Sequence, residues 1–313
     1  MSDNHRLGVF KTYKLYVGGK FPRSESGRVY EVTTKTSAAG TAGKGQWLAN
    51  APQSSRKDAR DAVVAARKAF GGWSGATAYN RGQVLYRVAE MLEGRKEQFV
   101  REVAASEGLS KSKAAAAVDA AIDRWVWYAG WTDKIGQIAG GANPVAGPFF
   151  NLSTPEPTGV VAVLAPQKSS FLGLVSVIAP VIATGNTAVV IASADAPLPA
   201  LSLGEVLATS DVPGGVVNIL SGVTAEIAAP LAAHQDVNAI DLTGADAELA
   251  KELEIAAADN LKRVLRPQPV DTDGASDSED WLASPGTHRL TAFLETKTVW
   301  HPTGALGAAG SSY

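Results

Sequence analysis

From Gly159 onward the chain alternates short, mainly aliphatic runs with longer stretches of helical spacing, a rhythm that few folds accommodate. The runs are Val160–Leu164, Ala188–Ala192, Val216–Leu220 and Val237–Leu242, all rich in Val, Ile, Leu and Ala. Residues 171–184, 197–210 and 224–234 separate them. A strand without polar alternation needs cover on both faces, and helices between successive strands supply it. The expected fold class is α/β, a doubly wound parallel sheet. Its right-handed crossovers leave a ligand crevice beyond the carboxyl ends of the strands.

Upstream, Lys14–Val17 and Arg28–Val32 carry strand-type residues around Gly18-Gly19 and the turn Ser24-Glu-Ser-Gly27, which predicts a hairpin. Residues 33–54 lack a period and read as loop. Small apolar residues from Ala59 to Phe70 recur at three and four, the mark of a helix face. A second helix is expected over Asn80–Ala105, stopping near Gly108, and a third over Ser112–Lys134. The third carries Trp125, Tyr128 and Trp131 at spacing three, an aromatic stripe that reads as core packing. A last helix, Ala247–Arg263, closes the first unit, residues 1–265. Residues 266–287 hold three prolines, two glycines and five acidic residues, the composition of a solvated linker. Residues 288–313 supply one strand and a Gly/Ala/Ser tail.

A net charge of -2 gives no footprint for nucleic acid or an anionic membrane. The longest apolar stretch, Phe171–Ala192, is broken by Ser176, Pro180, Gly185 and Asn186, whereas a span needs roughly 18 or more apolar residues in a row. Met1–Arg6 is polar and lacks a signal-peptide core, and the chain contains no cysteine; together these point to the cytoplasm. Without cysteine there is no disulfide, thiolate metal site or thiol nucleophile. His5, His234, His288 and His301 have no metal-ligand spacing, and no Walker loop, nucleophile elbow or glycine-rich dinucleotide fingerprint occurs.

Three loops at strand ends should face the crevice: Pro166-Gln-Lys-Ser-Ser170, Ser221-Gly-Val-Thr224 and Thr243-Gly-Ala245. A helix starting at Gly244 would offer free backbone N–H groups to a phosphate. Asp246 and Glu248 in that first turn would stabilise the helix themselves and repel an anion.

Pro157-Thr-Gly-Val-Val-Ala-Val-Leu-Ala-Pro166, Ala179-Pro-Val-Ile-Ala-Thr-Gly-Asn-Thr187, Val212-Pro-Gly-Gly-Val-Val-Asn-Ile-Leu220 and Leu242-Thr-Gly-Ala245 together resemble the aldehyde dehydrogenase superfamily, in its order and near its spacing. Lys14–Phe21, Phe70–Trp73, Asn80-Arg81 and Trp127-Tyr-Ala-Gly-Trp131 fit its N-terminal part, and Glu295-Thr-Lys-Thr-Val-Trp-His-Pro302 its last strand. The resemblance implies a Rossmann-like NAD-binding-type domain, with flap strands near residues 14–32 and 146–156 joined by the C-terminal strand in an oligomerisation flap. It also implies that residues 266–287 replace a whole catalytic domain, with its cysteine nucleophile and general-base glutamate.

The surviving half also departs from the family. Where the family carries an oxyanion-stabilising asparagine, this chain has Lys168, a point charge on a flexible stem. The family's Lys-Pro-Ser-Glu, which contacts the adenosine ribose, becomes Ile191-Ala-Ser-Ala194, and the serine of Phe-Thr-Gly-Ser becomes Ala245. No catalytic residue carries over. The positions matching cofactor contacts are Pro166, Lys168, Ser193, Gly222, Thr224, Thr243, Gly244 and Ala245, a vestigial set in which NAD(P) binding is weakened. The expected function is a pseudoenzyme, similar to the degenerate second half of two-part family members. It would act as non-catalytic subunit or scaffold of a full-length aldehyde dehydrogenase, or self-associate through its flap strands. The alternatives are an NAD(P)-dependent oxidoreductase acting on an aldehyde and a nucleotide-sensing module.

Overall fold

A computed structural model describes residues 9–35, 45–266 and 280–304. The chain enters through a tight turn at Gly18-Gly19, where the Val17 and Lys20 backbones bridge, and Tyr16 bonds to the backbone of Ile219. Strands β1 (Val29–Thr33) and β2 (Trp47–Pro52) then pair antiparallel. The expected hairpin is therefore corrected: Arg28–Val32 joins a strand from the segment read as loop, not Lys14–Val17. The 14–32 segment also takes no part in the sheet that holds the C-terminal strand. Trp47-Leu-Ala-Asn-Ala-Pro52 escaped notice because its small residues carry little strand propensity. Its partner creates the strand.

Helix α1 (Arg56–Ser74) starts at a capping box in which the Ser55 side chain and the Asp58 carboxylate serve each other's backbone N–H groups. Helices α2 (Ala78–Glu93) and α3 (Lys96–Glu107) replace the single helix expected over 80–105. The chain turns at Gly94-Arg95, and α3 ends on Gly108 at φ 69°, a conformation glycine adopts without Cβ strain. Helix α4 (Lys111–Trp131) buries Trp125 and Tyr128 in the core, with Trp131 packed partly against it. After the short α5 (Ile135–Ala139) come β3 (Gly141–Asn143) and β4 (Phe149–Pro157).

The principal sheet follows: β5 (Val160–Leu164), α6 (Leu172–Ala183), β6 (Thr187–Ile191), α7 (Leu198–Ala208), β7 (Val217–Leu220), α8 (Thr224–Ala232), β8 (Ala239–Asp241), α9 (Ala247–Ala258) and β9 (Arg263–Leu265). All pairs are parallel, in the order β7-β6-β5-β8-β9. The order reverses beside β5, which puts the switch point between the loops after β5 and β8. β9 lies where the sequence pattern extended the last helix to Arg263. Both faces of the sheet are buried. Val161, Val163, Val190 and Ile219 pack with α4, α6 and α7, while Ala162, Leu164, Val189 and Ile240 pack with α1, α8 and α9. The mainly aliphatic strands follow from that two-sided cover.

The chain passes from β9 to α10 (His288–Thr291) within residues 266–287, far too short a segment for a second domain. Residues 267–279 of the expected linker lie outside the described residues. The remainder is not simply solvated: Trp281 is 9% exposed, and buried Arg124 donates to the carbonyls of Trp281 (2.7 Å) and Ala283 (3.0 Å). Leu290 and Phe293 complete this strap in the core, so the single strand expected over 288–300 is preceded by a helical turn. β10 (Leu294–Pro302) then pairs antiparallel with β4 along its whole length, and β3 lies on the other side of β4. No helix among the described residues is long and apolar enough to cross a membrane.

Candidate functional site

Beyond the carboxyl ends of the principal strands lies a cleft of about 500 Å³. Gln167 reaches it from the loop after β5, Ala194 and Asp195 from the loop after β6, and Gly222 to Ala225 from the start of α8. Gly244, Asp246 and Leu249 enter from the start of α9, and Tyr30 and Gln53 from β1 and the residue after β2. Of the eight positions read as cofactor contacts, Gly222, Thr224 and Gly244 line this cleft. Pro166, Lys168, Ser193, Thr243 and Ala245 do not.

Each of those five has another place. Pro166 packs on Gly173 in the first turn of α6, and Lys168 is exposed outside the cleft. The Ser193 hydroxyl donates to the Gln167 carbonyl at 2.8 Å, while the Gln167 side chain accepts from the Ala194 N–H and donates to the Ala165 carbonyl. The loops after β5 and β6 are thereby stitched together. Thr243 is buried beside Asp241, and Ala245 is buried beneath α9.

The helix termini are largely engaged as well. The N-terminus of α6 receives the Glu107 carboxylate of α3, which accepts from the Phe171 N–H (3.2 Å) and the Ser170 hydroxyl (2.8 Å), and Ser169 accepts from the Gly173 N–H. The N-terminus of α9 is capped by Asp246, which accepts from Leu249 N–H at 2.9 Å. The helix starts at Ala247 rather than Gly244, and the Gly244 N–H, expected to be free, donates to the Leu164 carbonyl. Helices α7 and α8 begin without a side-chain cap, and Glu226 sits in the first turn of α8. Negative charge already complements these dipoles.

Sequence reasoning missed Tyr30, Gln53, Asp195, Ala225 and Leu249, whereas Val223 lies in a loop expected to face the crevice. Tyr30 and Gln53 come from the strand pair that the sequence did not reveal, whereas Asp195 and Ala225 could have been found by extending the strand-end segments one residue. Burial, with the Asp195 charge nearby, pushes the Tyr30 phenol well above its usual pKa, so it remains neutral. Among the described residues no lysine or arginine lines the cleft, while Asp195 and Asp246 do. The pyrophosphate of NAD(P) would meet two carboxylates, two occupied helix termini and no counter-charge. These residues do not fit it.

Burial raises the carboxyl pKa of Glu107 above its ordinary value, outweighing its hydrogen bonds to Ser170 and Phe171. The folded protein therefore binds this proton more tightly than the unfolded chain. The associated stability is present below the unfolded value, about 4.3, and is lost as pH rises through the raised folded value. Relative to Glu107→Gln, the wild type should lose stability across that window. Urea midpoints of both proteins from about pH 4 to about pH 7.5 test this, and a pH-independent difference would refute it.

Comparison with known proteins locates the fold. The aldehyde dehydrogenase family matches residues 31–266. Retinal dehydrogenase 2 of Gallus gallus is 34% identical over 263 residues, covering 81% of this chain and 48% of that protein. Cytosolic aldehyde dehydrogenase 1 of Elephantulus edwardii is 30% identical over 260 residues, covering 80% and 49%. Among solved structures, an aldehyde dehydrogenase from Bacillus cereus in complex with NAD+ superimposes with a TM-score of 0.74 at 25% identity, over 81% of this chain and 50% of that one. The chain thus spans about half the length of the relatives it matches.

Proposed function

The chain belongs to the aldehyde dehydrogenase family, and from that premise we propose that it is a non-catalytic member, a subunit that assembles with a full-length aldehyde dehydrogenase through its β10-β4-β3 sheet. The observation that carries this reading is the sheet's exposure. β10 lies at one edge of the sheet, beside β4, and is exposed over most of its nine residues. Phe149 and Phe150 of β4 and Trp300 of β10 are exposed, with the Phe149 and Trp300 rings packed edge to face at 5.8 Å. A long strand with an open edge and exposed aromatics suits strand addition to, or cover by, another subunit. The absence of cysteine from the sequence and the switch from β9 to α10 within residues 266–287 support a role without thiol chemistry.

Light scattering of the purified chain, alone and mixed with full-length aldehyde dehydrogenases from the same source, is the direct test. A mixed oligomer is expected, and Trp300→Asp should abolish it while leaving circular dichroism unchanged. A monomer or self-dimer in every mixture would overturn the reading. So would aldehyde-dependent formation of NAD(P)H by the chain on its own.

A further inference from the structure

The cleft between α8 and α9 has the size of a ligand site but the wrong charge for the ligand its fold suggests. Its volume of about 500 Å³ falls within the range of small-molecule pockets. Val223, Ala225 and Leu249 give it apolar walls on which a flat ring can rest. The Gln53 side chain makes no hydrogen bond among the described residues, and the N–H groups in the first turn of α8 have no side-chain cap. Neutral donors and acceptors are thus available. What is missing is any cation.

The retained glycines do not argue otherwise. A Cβ on Gly244 would lie 1.9 Å from the Ala165 carbonyl oxygen, so glycine is required there by the approach of two loops of the sheet. Gly222 has φ +142°, a conformation side chains rarely adopt, and a Cβ there would come within 3.1 Å of the Ser54 nitrogen. Both glycines are explained by backbone geometry, with no phosphate needed beside them. Where a phosphate would seek helix N-termini, Glu107 holds that of α6 and Asp246 that of α9, and Glu226 stands in the first turn of α8.

We propose that this cleft is a binding site with inverted charge preference, taking an uncharged molecule of nucleoside size in preference to its phosphorylated form or to a dinucleotide. The discrimination comes from Asp195 and Asp246 at the rim. It is partly screened by salt because both carboxylates are exposed. The inference does not depend on the assembly proposed above, since the cleft and the β10-β4-β3 sheet share no residue.

Isothermal titration of the full chain with adenosine, AMP and NAD+ tests it. Adenosine is expected to bind at least about tenfold more tightly than AMP, with NAD+ no tighter than AMP, and the gap should narrow as salt is raised. In Asp195→Asn/Asp246→Asn the gap should shrink to about threefold or less, because asparagine keeps the α9 cap but removes both charges. AMP or NAD+ binding as tightly as adenosine would overturn the proposal. So would the absence of adenosine binding at millimolar concentration, or a double variant in which the gap is unchanged.

Discussion

Arg289→Met should lower the unfolding free energy by about 3–5 kcal/mol, the cost of leaving a buried partner charge unpaired. Arg289 and Asp241 are 5% and 1% exposed, and Nη1 of the guanidinium donates to Asp241 Oδ2 at 3.1 Å. Its Nη2 donates to the Thr243 hydroxyl at 3.2 Å, and both the hydroxyl and the N–H of Thr243 donate to the other Asp241 oxygen. The guanidinium also lies over the Trp281 ring, 5.4 Å from its centroid. Asp241 occupies the last position of β8, inside the sheet, while Arg289 belongs to α10, in the strap that runs from Trp281 to Phe293. This pair, with Leu290, Phe293 and the Arg124 contacts, fastens the strap to the sheet. The single variant should therefore loosen Trp281 and shift tryptophan emission to the red as well as lower the urea midpoint. Asp241→Val/Arg289→Met removes both charges and should recover at least half of the loss. A single-variant loss under about 1 kcal/mol would show that the pair does not hold the strap.

The principal sheet was legible because its signal is local. Each of the runs beginning at Val160, Ala188, Val216 and Val237 contains a parallel strand, and their order in sequence with right-handed crossovers leaves few ways to arrange them. The elements that were missed or merged depend on partners distant in sequence. Trp47–Pro52 is a strand because Val29–Thr33 lies beside it, and Arg263–Leu265 because β8 does. The break at Gly94-Arg95 interrupts no hydrophobic period, since Leu92 and Phe99 remain buried on either side. Nor could composition foresee the Arg289–Asp241 pair: an acidic residue at the end of an aliphatic run and an arginine far along the chain become meaningful only when packed together.

The candidate site divides in the same way. Strand ends place Gly222, Thr224 and Gly244 in the cleft, as the doubly wound pattern implies. The purposes of individual side chains were less accessible. Ser193 matches a position that the family uses for cofactor, yet its hydroxyl is spent on the Gln167 carbonyl. Lys168 projects outside the cleft, so a residue at a family position need not share the family's geometry.

Gly244→Ala separates the two meanings of a retained glycine and should cost about 3 kcal/mol of stability. The added methyl would meet the Ala165 carbonyl oxygen at 1.9 Å, its carbon at 2.6 Å and the Leu164 carbonyl oxygen at 2.9 Å. All three are backbone atoms at the end of the central strand, and the Gly244 N–H is itself bonded to the Leu164 carbonyl. Relief requires the loop after β8 to move away from β5 and give up that bond, rather than a side chain to swing aside. Were the glycine retained solely to let a phosphate approach, the same variant would weaken ligand binding and leave the urea midpoint where it was. A midpoint unchanged in the absence of ligand would therefore restore the phosphate explanation. The expected loss would instead assign this residue to the closure of the sheet, the part of the fold that persists here although its cleft no longer favours an anion.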